Sequence, residues 1–478
     1  MFLLLLFIPL LAVPLVWLAG ERFTRTAALL FSLAQTGLTL FFWGQIQSHP
    51  EHFVVNYNWI QHPSIHFYLT LDGLSYLMLV LTNVLFPFIV LAVDKQRTEG
   101  KPLLYALMFV MLFALNGVFM AMDGFLYYVF WELALIPIYF IAMLWGGDNR
   151  MRITFTFFLY TLAGSLFMLF GFIYLYQQVG SFSIEALYSS ELSRLEQISC
   201  FLCFFVAFAI KIPIFPFHTW QADTYSTAPV AGTMLLSAIM LKMGTYSVLR
   251  WLLPLFPEAN SVLIPYVIVL CVIGVIYASV IAIYQDHAKR LVAFSSMGHV
   301  GLLAAGIFSL TYTGISGSVL QMLAHGVNVL ALFYVVELIY RRTGTYSISA
   351  MGGLRQSAPI LTTIFILVLL ATVAFPLTNA FVGEFMLLYG VFSYNTILGL
   401  VAGVSVVFGA VYMLRMFQHI MLGPDKVIGD HPITDLSFSE WVFFVPLIII
   451  MFITGLYTTP LTDMARPALE IIYAYATR

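Results

Sequence analysis

The stretch FLCFFVAFAIKIPIFPFHTW, residues 201–220, decides how this chain is read. It opens as an apolar run and then places Lys211 two residues before Pro213 and five before Pro216. Proline removes helix N–H donors and kinks or interrupts a span. An ionisable residue at the bilayer centre costs roughly 2.5–3.5 kcal/mol on the insertion scale. Broken backbone at that depth survives only where it is buried in protein or lines a water-filled cavity. Residues 373–385, VAFPLTNAFVGEF, repeat the pattern, with Pro376 eight residues before Glu384. Paired discontinuous helices are the expected mark of an inverted-repeat transporter.

Composition points the same way. Of 478 residues, 62% are hydrophobic and 9% charged, against roughly 25% charged in a soluble domain. So few charges exclude a soluble enzyme and a disordered chain, and a net charge of -2 offers nucleic acid no footprint. The 44 Phe, 26 Tyr and 8 Trp suit a lipid-embedded protein with interfacial aromatic belts. Three cysteines exclude a disulfide scaffold. Cys200, Cys203 and Cys271 lie in apolar runs without the electropositive setting of a reactive thiol.

A spanning helix needs about 20 mostly apolar residues. Fourteen stretches qualify, near 2–20, 26–46, 74–93, 103–122, 124–145, 153–177, 198–221, 228–250, 261–284, 290–309, 314–340, 358–394, 397–420 and 439–460. The first lacks the basic start of a cleaved signal peptide. The interrupted spans are the seventh and twelfth. That spacing predicts an all-α polytopic protein of about 14 transmembrane helices, with two inverted five-helix repeats over 103–250 and 261–420. Three helices (1–102) precede them, and the fourteenth helix and tail (439–478) follow. With the N-terminus outside, the inner connections hold Arg22, Arg25, Lys95, Arg97, Lys101, Arg150, Arg152, Lys289, Arg290, Arg341, Arg342, Arg355, Arg415 and Lys426. The outer ones hold only Arg194, Arg250, Arg466 and Arg478. This obeys the positive-inside rule and predicts both termini outside.

Four ionisable residues stand out inside spans: Glu132 in FWELALIPIYF, Lys211, Lys242 in LLSAIMLKMGTYS, and Glu384. A buried Lys alone tends to lose its proton and a buried Glu to gain one; placed together, they hold each other charged. Changing their separation then changes the proton affinity of the Lys, which is what a relay requires. His299 in SSMGHVG and His325 in QMLAHG bridge the gap between Lys242 and Glu384 in sequence. A neutral imidazole passes a proton through its two nitrogens. Two alternatives stay open on the residues alone: ion pairs that only hold helices together, and histidine ligation of a haem. Asp223, Asp286, His287 and Lys289 fall at helix ends, where solvated or entrance positions are expected. Glu337 and Arg341 read as an i,i+4 pair. The chain has no dinucleotide fingerprint, P-loop, iron–sulfur cysteine cluster or zinc motif. The expectation is no cofactor, metal or nucleotide in this chain, with the driving force supplied from elsewhere.

These residues resemble a known family. FWELALIPIYFIAMLWGG, KIPIFPFHTW, LLSAIMLKMGTYSVLR, LVAFSSMGHVG, QMLAHG and FVGEF together resemble, in order and spacing over roughly residues 65–430, the antiporter-like subunits of proton-pumping NADH:quinone oxidoreductase, respiratory complex I. The superfamily also includes subunits of multisubunit sodium/proton antiporters and membrane-bound hydrogenases. Glu384, where sister subunits usually carry Lys, and the length look like the M type (chain 4 in mitochondria). The resemblance implies a Glu132–Lys211 pair, Lys242 as connecting lysine, His299 and His325 as central-axis histidines, and Glu384 as the last proton donor–acceptor before the far side. It implies other complex I membrane subunits as partners, two sister antiporter-like subunits among them, with lipids around and a bacterial plasma membrane as the setting. A sodium/proton antiporter subunit and a non-conducting scaffold remain the alternatives.

The chain departs from the family's pattern at several places. HTWQADTYSTAP places Ala222, Tyr225 and Thr227 where Pro, His and Glu are usual. QDHAKR places His287 at an Asp, and Leu377 and Ala380 stand where the second break usually has glycines.

Overall fold

The computed structural model describes residues 2–93, 99–424, 426 and 433–478. Lys95 and Arg97, assigned above to an inner connection, lie outside the described residues. The chain is mostly helical. In order the main helices are α1 (Leu4–Leu18), α2 (Gly20–Phe41), α3 (Gly73–Ala92), α4 (Lys101–Met120), α5 (Gly124–Trp145), α6 (Arg150–Val179), α7 (Arg194–Lys211) and α8 (Gln221–Thr227). A continuous rod α9 (Val230–Leu255) follows, then α10 (Pro257–Tyr284), α11 (Ala288–Phe308), α12 (Tyr312–Thr343), α13 (Pro359–Thr372), α14 (Asn379–Tyr394), α15 (Thr396–Met421), α16 (Phe438–Leu456) and α17 (Thr459–Ala476). Among the described residues, 11 helices are long and apolar enough to cross a membrane, and α1 and α13 are shorter apolar helices.

Local chemistry sets the helix ends. Asp72 caps α3 by accepting from Ser75 N, and Asp123 caps α5 by accepting from Phe125 N and Leu126 N. Such caps satisfy N–H groups that the first turn leaves open. Ser193 and Glu196 form a reciprocal capping box on α7. At α11 the cap is His287, whose Nδ1 accepts from Arg290 N at 3.3 Å. The histidine thus takes over a capping role for which aspartate is better suited.

Both proline breaks are present. The first separates α7 from α8, and the second separates α13 from α14. In the second, Ala374 and Leu377 adopt φ of 55° and 78°, a left-handed backbone that favours glycine. The connection between α2 and α3 holds an antiparallel hairpin of β1 (Val54–Ile60) and β2 (Ile65–Thr70), paired from Val54 with Thr70 to Ile60 with Ile65. Arg22 and Arg25, expected in a connection, lie in the first turns of α2, because that helix starts at Gly20.

The chain forms two compact units. The first comprises residues 1–212, 227–265 and 461–478. Its centre is α9, which is buried along its whole length. Close approaches at glycine fix its neighbours: Gly117 of α4 meets the Phe130 ring of α5, Gly171 of α6 meets Phe204 of α7, and Gly244 of α9 meets Ile212 and the Lys211 Cβ. The second unit comprises 213–226 and 266–460. Here α11 and α12 are almost wholly buried, while α15 and α16 expose most of their apolar surface, as lipid-facing helices do.

Candidate functional site

In the first unit the site follows from where α5, α7 and α9 place their polar residues. Lys211 is the last residue of α7 and is 3% exposed. Its Nζ lies over the Trp131 ring, 5.2 Å from the centroid, and Glu132, the next residue of α5, is its electrostatic neighbour. Ser165 and Tyr128 also border the Glu132 carboxylate, while its Oε1 has no hydrogen-bond partner. Lys242 is fully buried, and its Nζ donates to Ser237 O at 2.9 Å. Two π-helical turns, Leu235–Met240 and Val248–Leu252, flank it. Such turns widen the helix and are frequent at functional sites.

The C-terminal end of α9 holds a charge pair that the sequence does not announce. Arg250, expected in an outer connection, is 6% exposed, and its Nη2 donates to Asp72 at 2.5 Å. Its Nε donates to Tyr246 at 3.3 Å, and Tyr188 donates to its backbone carbonyl at 2.5 Å. The pair is buried because α9 continues through Leu255 rather than ending at Arg250.

In the second unit α11, α12, α13 and α14 line a cavity of about 10 Å³ whose wall is mostly apolar, with Val292, Val329, Leu332 and Ala380 beside the polar residues Ser295, Ser296, His299, Gln321, His325, Asn328 and Thr372. That is close to the space one water needs. His299 Nδ1 lies 3.6 Å from Glu384 Oε2, with both side chains nearly buried. The His299 and His325 rings are 6.3 Å apart, and His325 Nε2 meets Ser296 Oγ at 3.0 Å. Tyr412 donates to Ser295 Oγ at 3.2 Å, and Asn328 donates to Ala371 O at 2.9 Å, bracing the end of α13 before the break. Glycines allow the close approach of α14 to α12: Gly317 meets Met386 and Gly383 O, Gly383 meets Gln321, and Gly390 meets Gly314. His299 Nε2, Gln321 Oε1, Asn328 Oδ1, Glu384 Oε2 and both polar side-chain atoms of Asn379 are buried without a protein hydrogen-bond partner. Glu132, Lys211 and Lys242 thus belong to the first unit, and His299, His325 and Glu384 to the second.

The residues near helix ends divide. Asp223 pairs with Arg290, and Asp286 accepts from Ser347 and Ser349 at the surface. Lys289 is not solvated. It is 5% exposed, 6.0 Å from the Tyr346 ring centroid, with Glu337 as its electrostatic neighbour. Glu337 accepts from Arg341 at 3.0 Å, as an i,i+4 pair should, and also from Tyr346 at 3.1 Å. Tyr346 stacks on Tyr340 and covers the group. His218 is 6% exposed, stacked on Phe215 and edge-on to Tyr277. Tyr225 is buried between Trp220 and Phe333, so an aromatic contact occupies the place where the family usually has histidine. Gln321, Asn328 and Tyr412 were not singled out from sequence. The first two had a signal, since Gln321, His325 and Asn328 follow at i, i+4 and i+7 on one helix face.

Residues 121–409 match the family described as NADH:quinone oxidoreductase/Mrp antiporter, TM. The chain is 36% identical over 430 residues to NADH-quinone oxidoreductase subunit M of Rickettsia typhi, covering 88% of this chain and 86% of that protein. It is 35% identical over 439 residues to NADH-ubiquinone oxidoreductase chain 4 of Marchantia polymorpha, covering 91% and 89%. Its fold superposes on a chain of respiratory complex I from Thermus thermophilus with TM-score 0.90 and 29% identity, covering 100% and 99% of the two chains.

Proposed function

This chain belongs to the NADH:quinone oxidoreductase/Mrp antiporter transmembrane family, and from that premise we propose that it is the proton-translocating membrane subunit of a complex I-type enzyme, of the M or chain 4 kind. Its relatives carry that name over nearly their full length. The observation that carries the mechanism is the His299–Glu384 contact of 3.6 Å beside a water-sized cavity that His299 lines. That distance lies just beyond a hydrogen bond, so one bound water or a small side-chain movement completes a proton path. In the first unit a change at Glu132 alters the field on Lys211, which releases or takes a proton. Lys242 is the connecting group, His299 and His325 pass the proton within the second unit, and Glu384 is the last donor–acceptor. The two units act in series.

The finer architecture belongs to the same proposal: fourteen spans, two inverted five-helix repeats, both termini outside, and a bacterial plasma membrane. So do the partners, which are the remaining membrane subunits of the complex, two sister antiporter-like chains among them. Electron transfer in other chains supplies the free energy, and this chain holds no redox group. The test is NADH-driven proton uptake in inverted vesicles carrying Glu132→Gln or Lys211→Ala. The expected result is a complex that assembles and pumps poorly. Normal pumping by both variants would overturn the relay. Pumping preserved when the charges are neutralised, with the complex lost only when the chain is removed, would point to the scaffold reading, and sodium-dependent proton flux without redox chains to the antiporter one.

A further inference from the structure

The connection after α2 carries a cluster that proton transfer does not use. Residues 49–52 read HPEH, a span too short to match a zinc-finger or metalloprotease pattern. Pro50 opens a 3₁₀ turn over Pro50–Phe53, and His52 N donates to His49 O at 3.2 Å. In a three-residue turn the side chains at i and i+3 eclipse. His49 and His52 accordingly stack, with ring centroids 5.2 Å apart and 20° between planes. Glu51 Oε1 lies 3.3 Å from His49 Nδ1 and 3.9 Å from His52 Nε2, and all three atoms lie within 4.8 Å of one another.

A tetrahedral zinc with bonds of about 2.0–2.1 Å sets its ligand atoms about 3.4 Å apart. The His49–Glu51 spacing already fits, and the His52–Glu51 spacing of 3.9 Å and the His49–His52 spacing, within 4.8 Å, close by rotation of exposed side chains. The turn beneath is fixed. Phe53 is 4% exposed and packs edge-on against Phe42 at 5.4 Å, and His49 N donates to Gln45 O at 2.8 Å. The ligand side chains themselves are exposed, so no buried charge forces them together. Two imidazole nitrogens with one carboxylate oxygen suit a borderline divalent transition metal, whereas Ca²⁺ and Mg²⁺ prefer all-oxygen sites.

We propose that His49, Glu51 and His52 form a binding site for a divalent transition-metal ion of the zinc class, with water completing the coordination. The test uses the full chain in mild detergent, stripped with chelator. Zn²⁺ alone is titrated by calorimetry, and Cu²⁺ alone is followed by electron paramagnetic resonance. The wild type should bind one equivalent more than the His49→Ala/His52→Ala variant. The Cu²⁺ spectrum should show nitrogen couplings from two imidazoles that the variant loses. Outer partners of a metal ligand are themselves worth 10–100-fold in affinity, so Glu51→Gln should weaken the site by more than about tenfold. Thermal unfolding without metal should be unchanged in all variants, because these side chains support nothing beneath them. Equal stoichiometry and equal spectra in wild type and variant would overturn the site.

Discussion

Gly383→Ala tests whether the geometry at Glu384, and not merely its charge, matters. A Cβ at Gly383 would sit 2.9 Å from both Gln321 N and Gln321 Oε1, and 3.2 Å from Gln321 Cα. Atoms in good packing stand about 3.5–4.0 Å apart, so α14 must withdraw from α12 by roughly 0.5 Å or more. The Gln321 amide tip can swing aside, but the backbone nitrogen cannot. Overpacking of this kind costs about 1–3 kcal/mol, which should appear as a lower unfolding temperature. Glu384 is the next residue, and its 3.6 Å separation from His299 has no slack, since proton transfer needs partners about 2.6–3.2 Å apart or one water between them. If ~1.4 kcal/mol of that strain falls on the transfer step, the rate drops about tenfold. The assay is dye-reported proton uptake in inverted vesicles, normalised to NADH oxidation. Gly403→Ala in α15 is the control, because an added Cβ there meets nothing within 4 Å. Full pumping and unchanged unfolding in Gly383→Ala would refute the reasoning.

Two further expectations follow from particular contacts. Asp72→Asn leaves the Arg250 guanidinium buried without its counter-charge; breaking such a pair costs about 3–5 kcal/mol when fully buried, and the 28% exposure of the Asp72 side chain moves the expected loss to the low end, seen in thermal unfolding and partly recovered by Asp72→Asn/Arg250→Leu. Burial raises the Asp286 carboxyl, but hydrogen bonds from Ser347 and Ser349 outweigh it and hold the group below the ordinary aspartate range. The stability it contributes to the 347–349 segment is therefore present above the unfolded-state value and lost as pH falls through the folded one, so Ser349 amide exchange (corrected for intrinsic pH dependence) should accelerate below about pH 4 and in Asp286→Ala at neutral pH.

What was legible in the sequence and what was not divide along physical lines. Proline cannot donate in a helix, so Pro213, Pro216 and Pro376 announce both breaks. The Glu337–Arg341 pair was legible because i,i+4 spacing is local. The Asp72–Arg250 pair joins positions 178 residues apart, and no local period predicts such a meeting. The apolar run reads as complete at Arg250, which places that residue in a connection, but α9 runs on through Trp251 to Leu255. The hairpin is not legible because its apolar residues Tyr57 and Trp59 are exposed rather than packed on a core, and its pairing register shifts between Asn58 and Ile60. The π-helical turns around Lys242 leave no trace in an apolar run, since composition there does not distinguish one helix type from another.

The Asp72–Arg250 and His299–Glu384 contacts show why burial alone does not mark a working residue. Asp72 and Arg250 meet at 2.5 Å, with Tyr246 and Ser75 against the guanidinium and Ser75 N on the carboxylate. A pair so saturated gains nothing from a change of proton, so it acts as a fixed strut. Glu384 is more deeply buried than Asp72, yet it stands 3.6 Å from His299, and each of the two keeps a polar atom without a protein partner. Leaving such atoms unsatisfied costs about 1–3 kcal/mol each, and a packed apolar site would avoid that cost. On the proposed relay reading, what the arrangement retains is room for a water beside His299 and Glu384. On this reasoning neutralising Asp72 should act first on stability, and neutralising Glu384 first on pumping. The order of those two effects, more than the depth of either residue, separates the strut from the relay.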